Sequence, residues 1–336
     1  MAKRIGKQTI ELENRPSFIG YGAVVGKKEH EGPMGGEFDS FSLDSLFGEK
    51  SFEKAESRLQ KIAVETALRK CGLCENDIDC IFAGDLLNQC IGSSFGLRSM
   101  KIPFLGLYGA CSTMALGLAI AGIFVDCGAA ERAVAVTSSH FASAERQYRF
   151  PLEYGSQRTP TAQWTTTASG ASVLQLSEDK PYIKSVTFGK ITDLGVTDAN
   201  NMGAAMAPSA AMTLKEFFAD TKTLPEDYDI IFTGDLGIVG TELLYELLSR
   251  EGLDIRCRHS DCGIMMFNRD KQDTHAGGSG CGCSASILNS YIMHRFEEGE
   301  LKNILFMSTG ALLSPTSTLQ GESIPGISHL LNIRKD

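Results

Sequence analysis

A cysteine that begins an apolar helix is the residue of this chain best placed to do chemistry. Cys111 stands in the small-residue segment 109–115, and the apolar run 114–125 follows it. The positive end of a helix macrodipole favours the thiolate form of a cysteine, which is the nucleophilic form. Small residues on both sides would let a carbonyl group approach the sulfur. Cys111 is therefore a candidate nucleophile, although a buried cysteine can also serve simply as a small apolar residue.

The sequence around Cys111 occurs twice in the chain. Residues 109–138 read as a small-residue loop, an apolar helix, a glycine and a hydrophobic strand, and residues 280–309 read the same way. A second repeated pair lies upstream, at residues 78–85 and 228–235, and each copy ends in Gly-Asp. Strands that alternate with helices indicate crossover connections and largely parallel sheets. The repeat therefore predicts an α/β protein with two similar halves.

Two such halves, with a cysteine ahead of the first buried helix, resemble the thiolase-like fold. We expect two βαβαβαββ halves stacked in the layers α-β-α-β-α. Residues 1–180 would carry the Cys111 loop, and residues 181–336 would carry the Gly/Cys loop 277–286. The pattern also predicts a helix over 51–71, an irregular stretch over 140–165, and a helix over 209–220 that begins after Pro208.

The ten residues around Cys111, Tyr-Gly-Ala-Cys-Ser-Thr-Met-Ala-Leu-Gly, resemble the nucleophile loop of thiolases and ketoacyl synthases. Such enzymes need two His, or a His and an Asn, around the thiolate. The resemblance places one of these bases near Asp235 and the other near Cys281, and neither position holds His or Asn. His275 precedes the Gly/Cys loop by several residues, and His140 follows a strand after which thiolase-like proteins do not usually keep a catalytic base. Either would be the base that the enzyme alternative requires. We expect a protein without catalysis, and a Cys111-dependent acyltransferase or condensing enzyme is the alternative.

Two long segments resemble one family within this fold. Residues 138–166, with many arginines and aromatic side chains, and the tail 313–329 are similar to the stage V sporulation protein AD family of spore-forming bacteria. The resemblance implies binding of dipicolinic acid, alone or as its calcium chelate. It also implies service to integral-membrane subunits that load dipicolinate into the spore and release it at germination.

A flat pyridine with two carboxylates requires charged donors and an apolar or aromatic slot. Residues 140–166 supply His140, Arg149 and Arg158 among aromatic residues, and any one of these arginines could instead form a structural salt bridge. Asp235 could orient a donor or meet calcium, but its repeat partner Asp85 indicates the plainer role of capping a turn. If the loops of the two repeats converge, the binding residues are Cys111, His140, Arg149, Arg158, Thr165, Thr166, Asp235, Cys281 and Ser308.

Composition restricts the partners. The net charge of −9 argues against nucleic acid. The ten cysteines show neither a disulfide framework nor paired zinc-site spacing, so we expect no cofactor and no metal beyond the calcium of a bound chelate. No signal peptide or membrane-spanning run is evident, and the resemblance places the chain at the periphery of the spore inner membrane. The resemblance also implies a homodimer through strand 102–107.

Overall fold

A computed structural model of the chain describes residues 2–148 and 158–336. Its strands are β1 (Lys3–Arg4), β2 (Thr9–Glu11), β3 (Pro16–Gly26), β4 (Ser40–Ser42), β5 (Cys80–Gly84), β6 (Phe104–Gly106), β7 (Ala133–Ser139), β8 (Trp164–Thr165), β9 (Ala168–Leu176), β10 (Tyr182–Phe188), β11 (Ile230–Thr233), β12 (His259–Asp261), β13 (Gly278–Ser279), β14 (Asn303–Ala311) and β15 (Gly326–Arg334). Its α-helices are α1 (Lys27–His30), α2 (Phe52–Lys70), α3 (Ile91–Leu97), α4 (Thr113–Asp126), α5 (Phe141–Tyr148), α6 (Met202–Thr221), α7 (Gly237–Ser249), α8 (Cys262–Met266), α9 (Cys281–Ile287), α10 (Met293–Glu297) and α11 (Pro315–Leu319). A π-helical turn, Leu288–Ile292, joins α9 to α10.

The two halves have the same strand order. The first half runs β3-β9-β7-β5-β6 and the second runs β10-β15-β14-β11-β12. β5 lies parallel to β7, just as β11 lies parallel to β14. The half sheets meet where Tyr182 of β10 pairs with Ser17 of β3. The internal repeat of the sequence is therefore a repeat of topology.

Three apolar clusters separate the layers. The central cluster packs α4 and α9 between the half sheets, and includes Met114 and Leu118 from α4 and Phe306 from β14. A second cluster packs α2 against the first half sheet, and a third packs α6 and α7 against the second. α4 is apolar around almost its whole circumference, and every residue of α9 is buried, as expected of helices that lie between two sheets. The predicted α-β-α-β-α architecture is confirmed.

Helix α6 begins earlier than the sequence pattern predicts. It starts at Met202, so the prediction that it begins after Pro208 was wrong. The Asn201 side chain accepts a hydrogen bond from the Ala204 amide and caps the helix. Pro208 removes one intrahelical donor, but the residues around it are fully buried, and this burial outweighs the lost bond.

Helix α5 occupies part of the stretch that we expected to be irregular. A contact from a distant part of the chain holds it, since the Ser143 hydroxyl donates to the buried Glu56 carboxyl at 2.6 Å. Sequence periodicity carries no information about such a contact.

Among the described residues, no helix combines the length and the apolar character needed to cross a membrane.

Close contact between β9 and α9 gives a test of this packing. A Cβ atom on Gly170 would lie 2.2 Å from the Ala285 carbonyl oxygen. Gly170→Ala should therefore lower the free energy of unfolding by about 1–3 kcal/mol, as overpacked core positions do. Gly36→Ala, where a Cβ would meet no atom within 4 Å, is the matched control and should be nearly neutral. Equal denaturation midpoints for the two variants would contradict the packing described.

Candidate functional site

A cavity of about 280 Å³ lies where loops of the two halves meet, and Cys111 lines it. Apolar and hydroxyl side chains form most of the wall. The lining residues are Leu86, Tyr108, Ala110, Cys111, Ala144, Glu145, Tyr148, Gln163, Thr165, Ala199, Asn200, Met202, Ser279, Ala311, Leu313, Pro315, Thr318 and Leu319. We call this the Cys111 cavity.

The backbone on either side of the loop places Cys111 against the second half. Ala110 has a φ of 49°, a left-handed conformation that costs energy for a residue with a side chain and turns the chain sharply before α4. Gly310 of β14 lies against this turn, and a Cβ there would come within 2.5 Å of the Gly109 carbonyl oxygen. A small residue in the second repeat thus makes room for the loop of the first.

The carboxyl group of Asp235 joins three elements behind the cavity. One of its oxygens accepts from the Gly280 amide at 2.9 Å and from the Ser279 hydroxyl at 3.1 Å. The other accepts from the Thr309 hydroxyl at 2.8 Å. The Ser279 hydroxyl also lies 3.9 Å from the Cys111 sulfur. A buried acid with three donors therefore stands near the thiol, where a condensing enzyme needs a base.

The thiol of Cys111 is held in its protonated form. Burial raises the pKa of the Cys111 thiol well above its usual value, and the negative charge of Asp235 raises this pKa further. The Ser279 hydroxyl and the Gly280 amide favour the thiolate, but their effect is smaller. Burial and Asp235 thus oppose the helix-dipole effect that made Cys111 a candidate nucleophile.

The repeat symmetry is broken at the paired aspartates. Asp85 caps its turn, since it accepts from the amides of Leu87 at 2.9 Å and Ser93 at 2.7 Å. Asp235 does not cap the equivalent turn, because Asp261 accepts from the amides that follow Asp235. The capping role inferred for Asp235 from its repeat partner was wrong. Asp235 is free to face the Cys111 loop instead.

Four other candidate residues lie at or behind the cavity. Thr165 lines it, and Cys281 packs beside Cys111 in a small buried cluster while its thiol donates to the Ser138 carbonyl. Thr166 donates to the Ser279 carbonyl at 3.0 Å and so supports the wall from behind. Ser308 pairs with Ser284 at 3.2 Å between β14 and α9, away from the lining.

The remaining candidates do not face Cys111 in the described structure. His140 has both ring nitrogens engaged, with Nε2 donating to the Ser45 carbonyl at 2.8 Å and Nδ1 accepting from the Ala142 amide. Burial lowers the pKa of His140, so its imidazole ring is neutral. The ring is not part of the described lining of the Cys111 cavity. The Arg158 guanidinium lies over Trp164, on the opposite side of β8 from Thr165. Arg149 lies outside the described residues.

Several lining residues were missed from the sequence. Tyr108 and Tyr148 place their hydroxyls 3.3 Å apart at the cavity wall. Gln163 donates through Nε2 to the carbonyls of Asp235 and Gly278, at 2.6 and 2.9 Å. Period-two alternation offered a signal for Gln163, because it lies two residues before Thr165 on an extended segment.

No group of His, Cys, Asp and Glu in the described ranges could hold a metal ion.

Comparison with known proteins gives the family. A sequence model of the family described as stage V sporulation protein AD matches residues 6–334. Stage V sporulation protein AD of Bacillus subtilis (strain 168) is 46% identical over 328 residues, which cover 97% of this chain and 96% of that protein. The chain belongs to the stage V sporulation protein AD family. The resemblance that the segments 138–166 and 313–329 suggested is thereby confirmed, and the chain is a sporulation protein.

Solved structures agree on the fold. The 3-oxoacyl-[acyl-carrier-protein] synthase III of Aquifex aeolicus VF5 superposes with a TM-score of 0.59 at 14% identity, covering 95% of this chain and 99% of that one. A variant of Xanthomonas campestris OleA with cerulenin gives 0.61 at 13% identity, covering 96% of this chain and 97% of that one. The fold is therefore thiolase-like, and likeness at this level of identity concerns the fold alone.

The charge of Asp235 can be tested through the reactivity of Cys111. Asp235→Asn removes the negative charge nearest the thiol, so the pKa of Cys111 should fall and its alkylation should accelerate. Below the pKa, the rate should rise about tenfold for each unit of the fall. Alkylation of Cys111 by iodoacetamide, followed by peptide mass measurement across pH, checks this, with Asp179→Asn at an exposed carboxylate as the control. Fast alkylation of the unaltered protein at neutral pH would contradict the assignment.

Proposed function

We propose that this chain binds dipicolinic acid, alone or as its calcium chelate, in the Cys111 cavity and releases it chemically unchanged. The proposal rests first on membership of a sporulation family, whose resemblance implied this ligand. It rests second on a small cavity between the two repeats whose described lining contains no histidine. Uptake of dipicolinate into the developing spore and its release at germination would be the setting.

The size and walls of the Cys111 cavity support a small flat ligand. A volume of about 280 Å³ lies at the lower end of the range for small-molecule sites. Leu86, Ala144 and Leu313 give apolar surface for a ring. The Thr165 hydroxyl can donate to a carboxylate oxygen, whereas the Ser279 hydroxyl already donates to Asp235. This combination of an apolar slot and a few polar groups is typical of a binding site.

The surroundings of the sulfur support binding without turnover. Among the described residues, no histidine lines the Cys111 cavity. His275 is the candidate base that lies closest in sequence to the Gly/Cys loop 277–286. Its Nδ1 bonds to the Thr159 carbonyl at 2.6 Å, and its Nε2 bonds to Asp273 at 2.9 Å. With the pKa of the thiol raised and no histidine in the described lining, the thiolate that nucleophilic attack requires is disfavoured.

The charge of the cavity lining is compatible with two forms of the ligand, the free dianion and the calcium chelate. Glu145 is the one charged side chain in the described lining of the Cys111 cavity. A free dianion therefore needs a cation from elsewhere, and Arg149 follows directly after the lining residue Tyr148 in the sequence. The calcium chelate of dipicolinate carries no net charge and needs no such cation. Both forms belong to the proposal, and calorimetry separates them.

Calorimetric titration with dipicolinate, with and without calcium, tests the proposal. Thr165→Val keeps the side-chain shape and removes one hydroxyl donor, so it should weaken binding up to about tenfold. Arg149→Gln should weaken the free dianion by about ten- to a hundredfold and the chelate much less. Thr197→Val, at an exposed threonine outside the lining, is the control. No heat of binding at millimolar ligand would refute the function.

The acyltransferase alternative is tested by intact mass. Incubation with acyl-CoA or acyl-carrier substrates of several chain lengths should leave the mass of the chain unchanged. A stable acyl adduct that disappears in Cys111→Ser would contradict the proposed lack of catalysis.

We also propose that the chain forms a homodimer and works beside integral-membrane subunits at the spore inner membrane. β6 lies at the end of the strand order, and apolar side chains beside it are exposed, with Phe104 at 40%, Phe95 at 55% and Tyr108 at 46%. An uncovered edge strand with apolar neighbours is suited to pairing with a second copy.

Light scattering tests the dimer. The unaltered chain should have twice its monomer mass at tens of micromolar, and Phe104→Glu should shift it to monomer without loss of thermal stability. Leu224→Glu places the same charge on another exposed apolar residue and should leave the dimer intact. A monomeric unaltered chain would rule out this association.

A further inference from the structure

A second and larger cavity lies on the other side of β8 from the Cys111 cavity. Its volume is about 630 Å³. Along β8 the side chains alternate, so that Thr165 lines the Cys111 cavity and Trp164 lines the second. The walls come from α1, from the start of α5 and from residues 271–273, and they include Leu43, Phe52 and Phe141. We call this the Trp164 cavity.

A lysine and two stacked rings form a rigid wall of the Trp164 cavity. The rings of Phe141 and Trp164 stack at 3.7 Å with an angle of 3° between their planes. The Lys28 ammonium lies 3.6 Å from the centre of the Trp164 ring. Its hydrogen bond to the Asp273 carbonyl is long, at 3.4 Å, and Lys28 forms no ion pair with the described residues. An ammonium held in this way keeps donors for a ligand.

A second cation lies beside the first. The Arg158 side chain is 5% exposed, its carbon Cζ lies 4.6 Å from the Trp164 ring, and Nη2 pairs with Asp273 at 2.7 Å. The other nitrogen, Nη1, is buried and has no hydrogen-bond partner in the part of the chain that the structure describes. Burial, and then the charge of Arg158, lower the pKa of Lys28. Two cations that lie on one ring, of which only Arg158 is paired with a carboxylate, indicate a place that an added anion would stabilise.

The other charged and titratable side chains around the Trp164 cavity differ in whether they already have a partner. Lys27 pairs with Glu31 at 3.8 Å, whereas Lys271 is exposed at the rim without an ion pair among the described residues. Glu29 is buried, its carboxyl accepts from the Thr167 amide, and burial raises its pKa to about 7. His140 is neutral and engaged on both nitrogens. The cations left without a carboxylate of their own are Lys28 and Lys271.

We propose that the Trp164 cavity is a second binding site, specific for small aromatic dicarboxylates and separate from the Cys111 cavity. The ring of the ligand would contact Phe52 and Leu43, and its carboxylates would accept from Lys28 and Lys271. Inorganic phosphate offers the charge without the ring, so it should bind more weakly. The proposal belongs to the same ligand class as the proposed function but uses none of the residues of that site.

The single tryptophan of the chain allows a direct test. Trp164 labelled as fluorotryptophan gives one fluorine resonance, which should shift with millimolar isophthalate, a dicarboxylate that lacks the pyridine nitrogen. Lys28→Gln and Lys271→Gln should each weaken the apparent affinity by about ten- to a hundredfold. Lys61→Gln, on the exposed side of α2, removes the same charge elsewhere and should change nothing. Unchanged thermal melting confirms that the variants fold.

The possible results separate this proposal from the proposed function. A resonance that does not move with isophthalate, or that moves equally with phosphate at matched ionic strength, overturns the Trp164 site. If calorimetry still detects dipicolinate and Thr165→Val still weakens it, the Cys111 site stands. If the resonance shifts while Thr165→Val and Arg149→Gln leave dipicolinate binding unaltered, the Trp164 site stands and the proposed function of the Cys111 cavity fails.

Discussion

The buried carboxyl group of Asp235 is the constraint on which the site depends. It accepts hydrogen bonds from the loop before α9 and from β14, and it faces the cysteine at the start of α4. Removing such a group from water is unfavourable, so its three donors must be held in place by the surrounding fold. The same carboxyl opposes ionisation of the Cys111 thiol. One residue therefore contributes to the junction between the repeats and to the chemical character of the cavity.

The proposed binding function is compatible with the thiolase-like fold. In this chain Cys111 lies ahead of a buried helix, and loops of the two repeats meet beside it. A buried acid stands near the sulfur, and apolar and hydroxyl side chains form most of the cavity wall. One fold can carry different functions, so the site rather than the fold carries the proposal.

The architecture could be predicted from sequence because the internal repeat indicates that two distant parts of the chain form similar halves. Two copies of the same pattern must form the same local structure, and the apolar helices in both copies must lie between sheets. The start of α6 and the existence of α5 could not be predicted from the repeat. Asn201 capping, burial around Pro208 and the bond from Ser143 to Glu56 depend on contacts between distant residues.

The site was predicted in part for a similar reason. Cys111 and Thr165 end up at the cavity because the ends of corresponding strands meet there. Arg158 and His140 belong to the neighbouring Trp164 side, because Arg158 packs over the Trp164 ring and His140 lines the Trp164 cavity. Alternation along β8 separates only Trp164 from Thr165. The direction of each side chain depends on the register with which Trp164 and Thr165 pair with β13, and that register comes from the fold.

A crystal structure of the protein with dipicolinate and calcium tests the central claim most directly. The account predicts intact dipicolinate inside the Cys111 cavity, near Thr165 and Ser279, with no covalent bond to the Cys111 sulfur. An empty Cys111 cavity at saturating ligand, or an adduct on the sulfur, would contradict it.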